Sequence, residues 1–152
     1  MPVPSGTIEQ VDVRGPRFAA WVTTAVLVAV LLLTSFTGPW AGILLAAQTV
    51  VFALGAALGP RRSPYGQLFA KLVAPRLSAP TETEPVGPLR FAQLVGFLFA
   101  AAGTVGFLSG AAVAGSVAAG FALFAALLNA AFGLCLGCRI YPLVARLRPA
   151  SA

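Results

Sequence analysis

The sequence predicts an all-α integral membrane protein: a four-helix bundle of two parallel helical-hairpin repeats, plus one short interfacial amphipathic helix. Three observations predict it. Only 9% of the 152 residues are charged and 59% are apolar, whereas soluble domains carry about a quarter charged residues. The apolar residues gather into charge-free runs long enough for spans of ~20 residues. All ten lysines and arginines fall in three places, the N-terminal arm, a central loop and the C-terminal tail.

Composition also excludes functions. A net charge of +6 could attract nucleic acid, but basic residues flanking apolar runs are what membrane topology requires, so no nucleic-acid partner is expected. The chain has no histidine, which removes the usual general base and the commonest imidazole ligand.

Residues 1–17 carry Pro2, Pro4 and Pro16 without a helical apolar period and read as an N-terminal arm. The first span covers 18–36. It exceeds the ~7–15 apolar residues of a cleaved signal peptide and leaves through Gly38-Pro39-Trp40, so it is read as retained. Proline cannot continue the hydrogen-bond ladder, and Trp40 suits an interfacial anchor. The second span covers 40–58 and stops at Gly59-Pro60, ahead of Arg61-Arg62.

The loop 59–90 holds Ser63-Pro64, the signature of an N-cap followed by proline at the first helical position. Tyr65, Leu68, Phe69, Leu72 and Val73 then recur at helical spacing. They predict an amphipathic helix over about 64–74, either lying in the interface plane or packing on the end of the bundle. Pro75, Pro80, Pro85 and Pro88, with Glu82 and Glu84 among them, read as an extended linker.

From Phe91 to Cys138 no residue is charged, and the run is too long for one span at ~1.5 Å per residue. A turn between Ser109 and Ser116 divides it into spans 91–109 and 116–136. Ala92, Gly96, Ala100, Gly103, Gly106 and Gly110 give the third span a small-residue face suited to close packing in lipid. Gln48 and Asn129 are the amides within the second and fourth spans and are assigned to interhelical hydrogen bonds. Residues 139–152 form a basic tail suited to anionic headgroups.

With four spans, the three basic segments share one side, and the positive-inside rule places both termini in the cytosol beneath the plasma (inner) membrane. The halves also resemble each other. Gly15-Pro16-Arg17-Phe18-Ala19 matches Gly87-Pro88-Leu89-Arg90-Phe91-Ala92, and Gly55 to Arg61 aligns without gaps on Gly133 to Arg139. In that alignment Cys135 and Cys138 face Ala57 and Pro60, so the fold does not need cysteine at such a helix end.

Cys135 and Cys138 are the two cysteines of the chain, followed directly by Arg139. A C-x-x-C spacing serves redox centres, metal sites and coincidence alike. The cytosol keeps thiols reduced, so a cycling dithiol is expected rather than a permanent disulfide. Placed at the C-terminal end of the fourth span, a thiolate would be disfavoured by the helix dipole, with Arg139 and Arg61 as candidate stabilisers. Two thiolates supply half of the about four ligands of a closed zinc site, which a homodimer could complete as a bridged four-cysteine centre. No cofactor is called for. Three readings stay open: a dithiol, that metal site, and a packing role in an assembly protein that binds through its glycine-lined helices. A transporter is weaker, since no charged group lies within the spans to couple an ion.

Four segments carry a family resemblance. They are Arg14-Gly-Pro-Arg17-Phe18, Leu58-Gly59-Pro60-Arg61-Arg62-Ser63-Pro64-Tyr65-Gly66, Phe91-Ala92-Gln93-Leu94-Val95-Gly96, and Leu128 to Cys138 with Tyr141 after it. Together they resemble the bacterial membrane proteins grouped as domain of unknown function 4395. The resemblance implies four membrane helices and a Cys-x-Gly-Cys end. It supplies no activity. It also implies association with thioredoxin-like or sulfurtransferase proteins as partners.

Overall fold

The computed structural model describes residues 9–36 and 38–147. About half of the arm 1–17, and the end of the tail with Arg148, therefore lie outside the described residues. The elements are β1 (Gln10–Asp12), α1 (Arg14–Leu33), α2 (Gly38–Leu58), α3 (Pro64–Leu68), β2 (Thr83–Pro85), α4 (Val86–Leu108), α5 (Ala112–Phe132) and α6 (Leu136–Leu147). A π-helical turn at Phe69–Val73 and a 3-10 turn at Ala74–Arg76 extend α3. The protein is an all-α bundle in which α1, α2, α4 and α5 are long and apolar enough to cross a membrane. Large apolar side chains such as Leu32, Ile43, Val50, Leu98, Val105 and Phe121 are exposed along them, as a lipid-facing surface requires. It is a multi-pass membrane protein in contact with lipid.

The architecture is a duplicated unit of short strand, helical hairpin and amphipathic helix. β1 pairs antiparallel with β2, setting Val11 opposite Glu84, and this ribbon ties the two units together at their starts. α2 packs along α4 and α5 along α1, the same pairing when the halves are exchanged. The core lies where these helices meet, around Leu27, Val30, Leu45, Ala100 and Ala119, all with no exposed surface. The small-residue face of α4 is used inside the bundle. A Cβ on Gly106 would come 2.7 Å from the Gly115 amide nitrogen, and one on Gly96 would meet the Phe52 ring at 2.6 Å.

Two arginines show how the units interlock. The last carbonyls of a helix have no partner within it, and in lipid each orphan is costly. Arg90 of α4 donates from Nε to Ala56 O (2.9 Å) and from Nη2 to Ala57 O (2.7 Å) at the end of α2. Arg17 of α1 donates to Ala130 O (3.2 Å) near the end of α5. A cation at a helix C-terminus also complements its dipole.

The amphipathic segment after α2 is docked on the bundle. Ser63 caps α3, its Oγ accepting from Gly66 N–H at 3.1 Å. Phe69 is buried beside Phe18, ring centroids 5.8 Å apart. The Tyr65 hydroxyl donates to Gln48 Oε1 at 2.6 Å, and the Gln48 side chain is buried at the middle of α2. The partner of this amide thus comes from α3 rather than from another span.

Candidate functional site: the cysteine pair

The fourth membrane helix ends at Phe132, four residues before the expected boundary at 136. Gly133 is the reason. It adopts a left-handed conformation with φ of 68°, which glycine takes without steric penalty. The amides of Gly133 and Leu134 turn back onto the carbonyls of Asn129 and Leu128, at 3.0 and 3.1 Å. The chain then starts a new helix at Leu136. The expected tail is largely this helix.

This reverses the electrostatics expected from the sequence. Cys135 and Cys138 sit at the N-terminus of α6, not at the C-terminus of the preceding span. Cys135 holds the N-cap position: its carbonyl accepts from Arg139 N–H (3.1 Å) and its Sγ from Cys138 N–H (3.2 Å). The two sulfurs are joined as a disulfide, with Cα atoms 5.2 Å apart. The Cys138 amide and the positive end of the helix dipole face Cys135, which favours a thiolate whenever the pair is reduced. Gly137, between the cysteines, has a packing reason, because a Cβ there would come 2.6 Å from the Ala92 Cα of α4.

The structure also corrects the register of the repeat. Seventy-two residues separate Gly15 from Gly87, Ser63 from Cys135, Gly66 from Cys138 and Phe69 from Tyr141. Contacts follow this spacing, with one residue inserted between Gly87 and Phe91. Phe69 packs on Gly15 and Phe18, as Tyr141 packs on Gly87 and Phe91. Ser63 accepts from the Gly66 amide as Cys135 accepts from that of Cys138. Cys135 and Cys138 therefore correspond to Ser63 and Gly66, not to Ala57 and Pro60. The gapless alignment fails because the left-handed glycine closing α2 is Gly59, whereas the one closing α5 is Gly133, which that alignment set against Gly55.

The cysteines have different surroundings. Cys138 packs on the small cluster of Val11, Val86 and Leu89, on the bundle side of α6 with Tyr141. Cys135 lines a cavity of about 750 Å³ that runs into the bundle. Arg61 lines the same cavity, but its Nη2 donates to the Gln10 carbonyl at 3.0 Å. Arg139 is exposed in the first turn of α6. Among the described residues the Cys138 amide is the hydrogen-bond donor to the pair, so neither arginine is bonded to sulfur. Asn129 also lines the cavity, and no group of three or more Cys, Asp or Glu side chains clusters as a metal site among the described residues.

Beyond the pair, α6 carries Leu136, Ile140, Leu143 and Leu147 on one stripe, with Arg139 and Arg146 beside it. Ile140, Leu143 and Leu147 are exposed, the pattern of a helix lying in the membrane interface. The sequence reading missed this helix, although the i, i+4, i+7, i+11 spacing signals it. The arginines alone make the segment read as a basic tail.

No curated relative and no solved structure matches the chain. The profile described as "Domain of unknown function (DUF4395)" matches residues 11–146. That match covers β1 through the second capped helix, and the chain belongs to the DUF4395 family.

Proposed function

We propose that this protein is a membrane-embedded thiol–disulfide exchanger whose Cys135–Cys138 pair passes electrons or sulfur to and from a thioredoxin-like or sulfurtransferase partner at the cytosolic face of the plasma membrane. The observation that carries this reading is the sulfur at the N-cap of α6, in the repeat position where the first half uses Ser63. Serine is among the best N-capping residues and cysteine is not. A purely structural cap would thus be better served by the residue that the other half has. Sidedness rests on charge. The basic residues of α1, of the loop after α2, of α4 and of α6 gather at one end of the bundle, and both loops at the other end are uncharged.

In exchange, the Cys135 thiolate would attack a partner disulfide, forming a mixed disulfide and releasing the partner's thiolate. The Cys138 thiolate would then attack Cys135 Sγ, closing the pair and leaving the partner reduced. The reverse sequence would reduce the pair. Cys138, packed against Val11, Val86 and Leu89, suits the resolving role, and Cys135, on the cavity, the attacking one. Arg139 and Arg61 would add long-range positive potential. The assembly alternative is less well supported, because Gly96 and Gly106 face Phe52 and Gly115 inside the bundle. The dimer-bridged four-cysteine alternative would need two reduced pairs brought together, since no third cysteine, aspartate or glutamate joins this pair as a ligand group among the described residues.

A Cys138→Ser variant expressed in cells tests the proposal, since it leaves Cys135 to hold a mixed disulfide. Recovery of a covalent complex with a thioredoxin-like or sulfurtransferase protein, absent in Cys135→Ser/Cys138→Ser, is the expected result. If no partner is captured and the wild-type thiols never oxidise under thiol stress, the proposal fails.

A further inference from the structure

The cavity beside Cys135 is built for more than solvent. Its wall passes from Cys135 and Asn129 at the charged end to Thr23, Phe52, Gly96 and Ala122, residues near the midpoints of the four spans. Along α5 alone, Asn129 to Ala122 corresponds to ~10 Å of depth at ~1.5 Å per residue. The volume of about 750 Å³ lies within the ~300–1,000 Å³ of small-molecule sites. Gly103 and Gly106 press α4 and α5 together near Gly115, and at the other end of α4 the chain of α6 packs on it, Gly137 against Ala92.

The cavity reaches the lipid-facing surface. Phe99, Phe121 and Phe124 line it and are also 38%, 58% and 58% exposed. The Phe99 and Phe121 rings pack on each other, centroids 5.8 Å apart, as part of this lipid-facing wall. A molecule entering past this wall would come from the bilayer and must be lipid-soluble. At the inner end it would meet a sulfur that exchanges two electrons, with the Asn129 amide beside it as a hydrogen-bonding group.

We infer that this cavity takes a lipid-soluble quinone as the electron acceptor for the Cys135–Cys138 dithiol. The inference rests on the dithiol reading above and adds its membrane-side partner. The reaction balances without any further reagent. Both S–H bonds are lost and one S–S bond forms, while two electrons and two protons pass to the quinone, whose two carbonyl oxygens become hydroxyls. The quinone ring would sit toward Cys135 and Asn129, and an isoprenoid tail would extend past Phe121 and Phe124 into lipid. The protein would then link cytosolic thiols to the quinone pool.

The test uses the full-length protein in nanodiscs of phosphatidylethanolamine and phosphatidylglycerol, reduced, desalted and mixed with a short-chain ubiquinone or menaquinone analogue. Thiol loss and quinol absorbance are followed together. Wild type should form one quinol per disulfide. Ala125→Phe and Val95→Trp, which place bulk in the cavity, should be slowed at least about tenfold. Ala47→Phe, on the exposed face of α2 and away from the cavity, should react like wild type. Equal rates in wild type and both filled variants, or no quinol above the buffer rate, would overturn the inference, as would wild-type nanodiscs that retain lipid alone after incubation with the analogue. A parallel assay with reduced or oxidised thioredoxin separates the two readings. Exchange there without quinone reduction removes the quinone alone; no exchange in either removes the dithiol role beneath it.

Discussion

Replacing Cys135 by serine separates the capping role of this residue from its chemistry, and the first half of the molecule supplies the expected magnitude. At the matched position the Ser63 hydroxyl accepts an amide at 3.1 Å, as Cys135 sulfur does at 3.2 Å. A serine at 135 therefore keeps an acceptor on the Cys138 amide, and helix α6 should remain docked. Against reduced wild type, stability should change by less than about 1 kcal/mol, whereas Cys135→Ala should lose about 1 kcal/mol with the cap. Against oxidised wild type, Cys135→Ser also lacks a cross-link closing four residues, worth ~2 kcal/mol in the chain-entropy account. Hydrogen exchange across Leu136–Leu147, measured in nanodiscs with and without dithiothreitol, reads these differences directly. The order should be oxidised wild type most protected, then the serine variant, slightly ahead of reduced wild type, then alanine. If Cys135→Ser exposed α6 as fully as the alanine variant under reducing conditions, the equivalence of Ser63 and Cys135 would be wrong and the cysteine would be structural.

Three further expectations follow from the packing. Tyr65→Phe removes the donor to buried Gln48 and should cost about 1–2 kcal/mol, most of it recovered in Tyr65→Phe/Gln48→Leu, where neither polar group remains; unfolding in mixed micelles measures both. Arg90→Gln removes two charge-assisted bonds to the end of α2 and should cost about 1–2 kcal/mol, at the low end of the usual range because the side chain is exposed; exchange at the amides ending α2 would report it. The β1–β2 ribbon should respond to pH in two opposed ways. Burial, reinforced by Glu82, holds the Glu84 carboxyl above its ordinary value, so its contribution is full below that value and lost as pH rises through the higher folded one. Hydrogen bonding from Arg14 holds Asp12 below its ordinary value, so its contribution is full above that value and lost as pH falls through the lower folded one. At neutral pH, Glu84→Gln should therefore protect the ribbon amides and Asp12→Asn should expose them.

The spans were legible because lipid permits so little inside them. Charge-free runs and Gly-Pro stops carry the four helices without any tertiary information. The repeat was legible in kind but not in register. Gly59 and Gly137 share a glycine–proline–arginine or glycine–cysteine–arginine context in the sequence, yet only Gly59 and Gly133 close their helices in the left-handed conformation. Leu134 and Leu136 prolong the apolar run past the true helix end, so Gly133 falls inside the span that the sequence alone draws. That single misplacement put the cysteines at the wrong pole of a helix dipole. The β1–β2 ribbon had no signal to offer, since three-residue strands show no alternation, and its pairing depends on the bundle bringing residues 10–12 to 83–85. The cavity is likewise lined from α1, α2, α4, α5 and α6 together, which no local pattern records.

The central claim is that Cys135 and Cys138 cycle between dithiol and disulfide on the cytosolic side. Differential alkylation of the two cysteines in intact and lysed cells tests it most directly, using membrane-permeant and impermeant maleimides before and after reduction. The account predicts a mixture of reduced and disulfide-bonded pairs, shifted toward disulfide by a thiol oxidant, and reached by the impermeant reagent only after lysis. A pair labelled from outside intact cells, or fixed in one redox state whatever the stress, would contradict it.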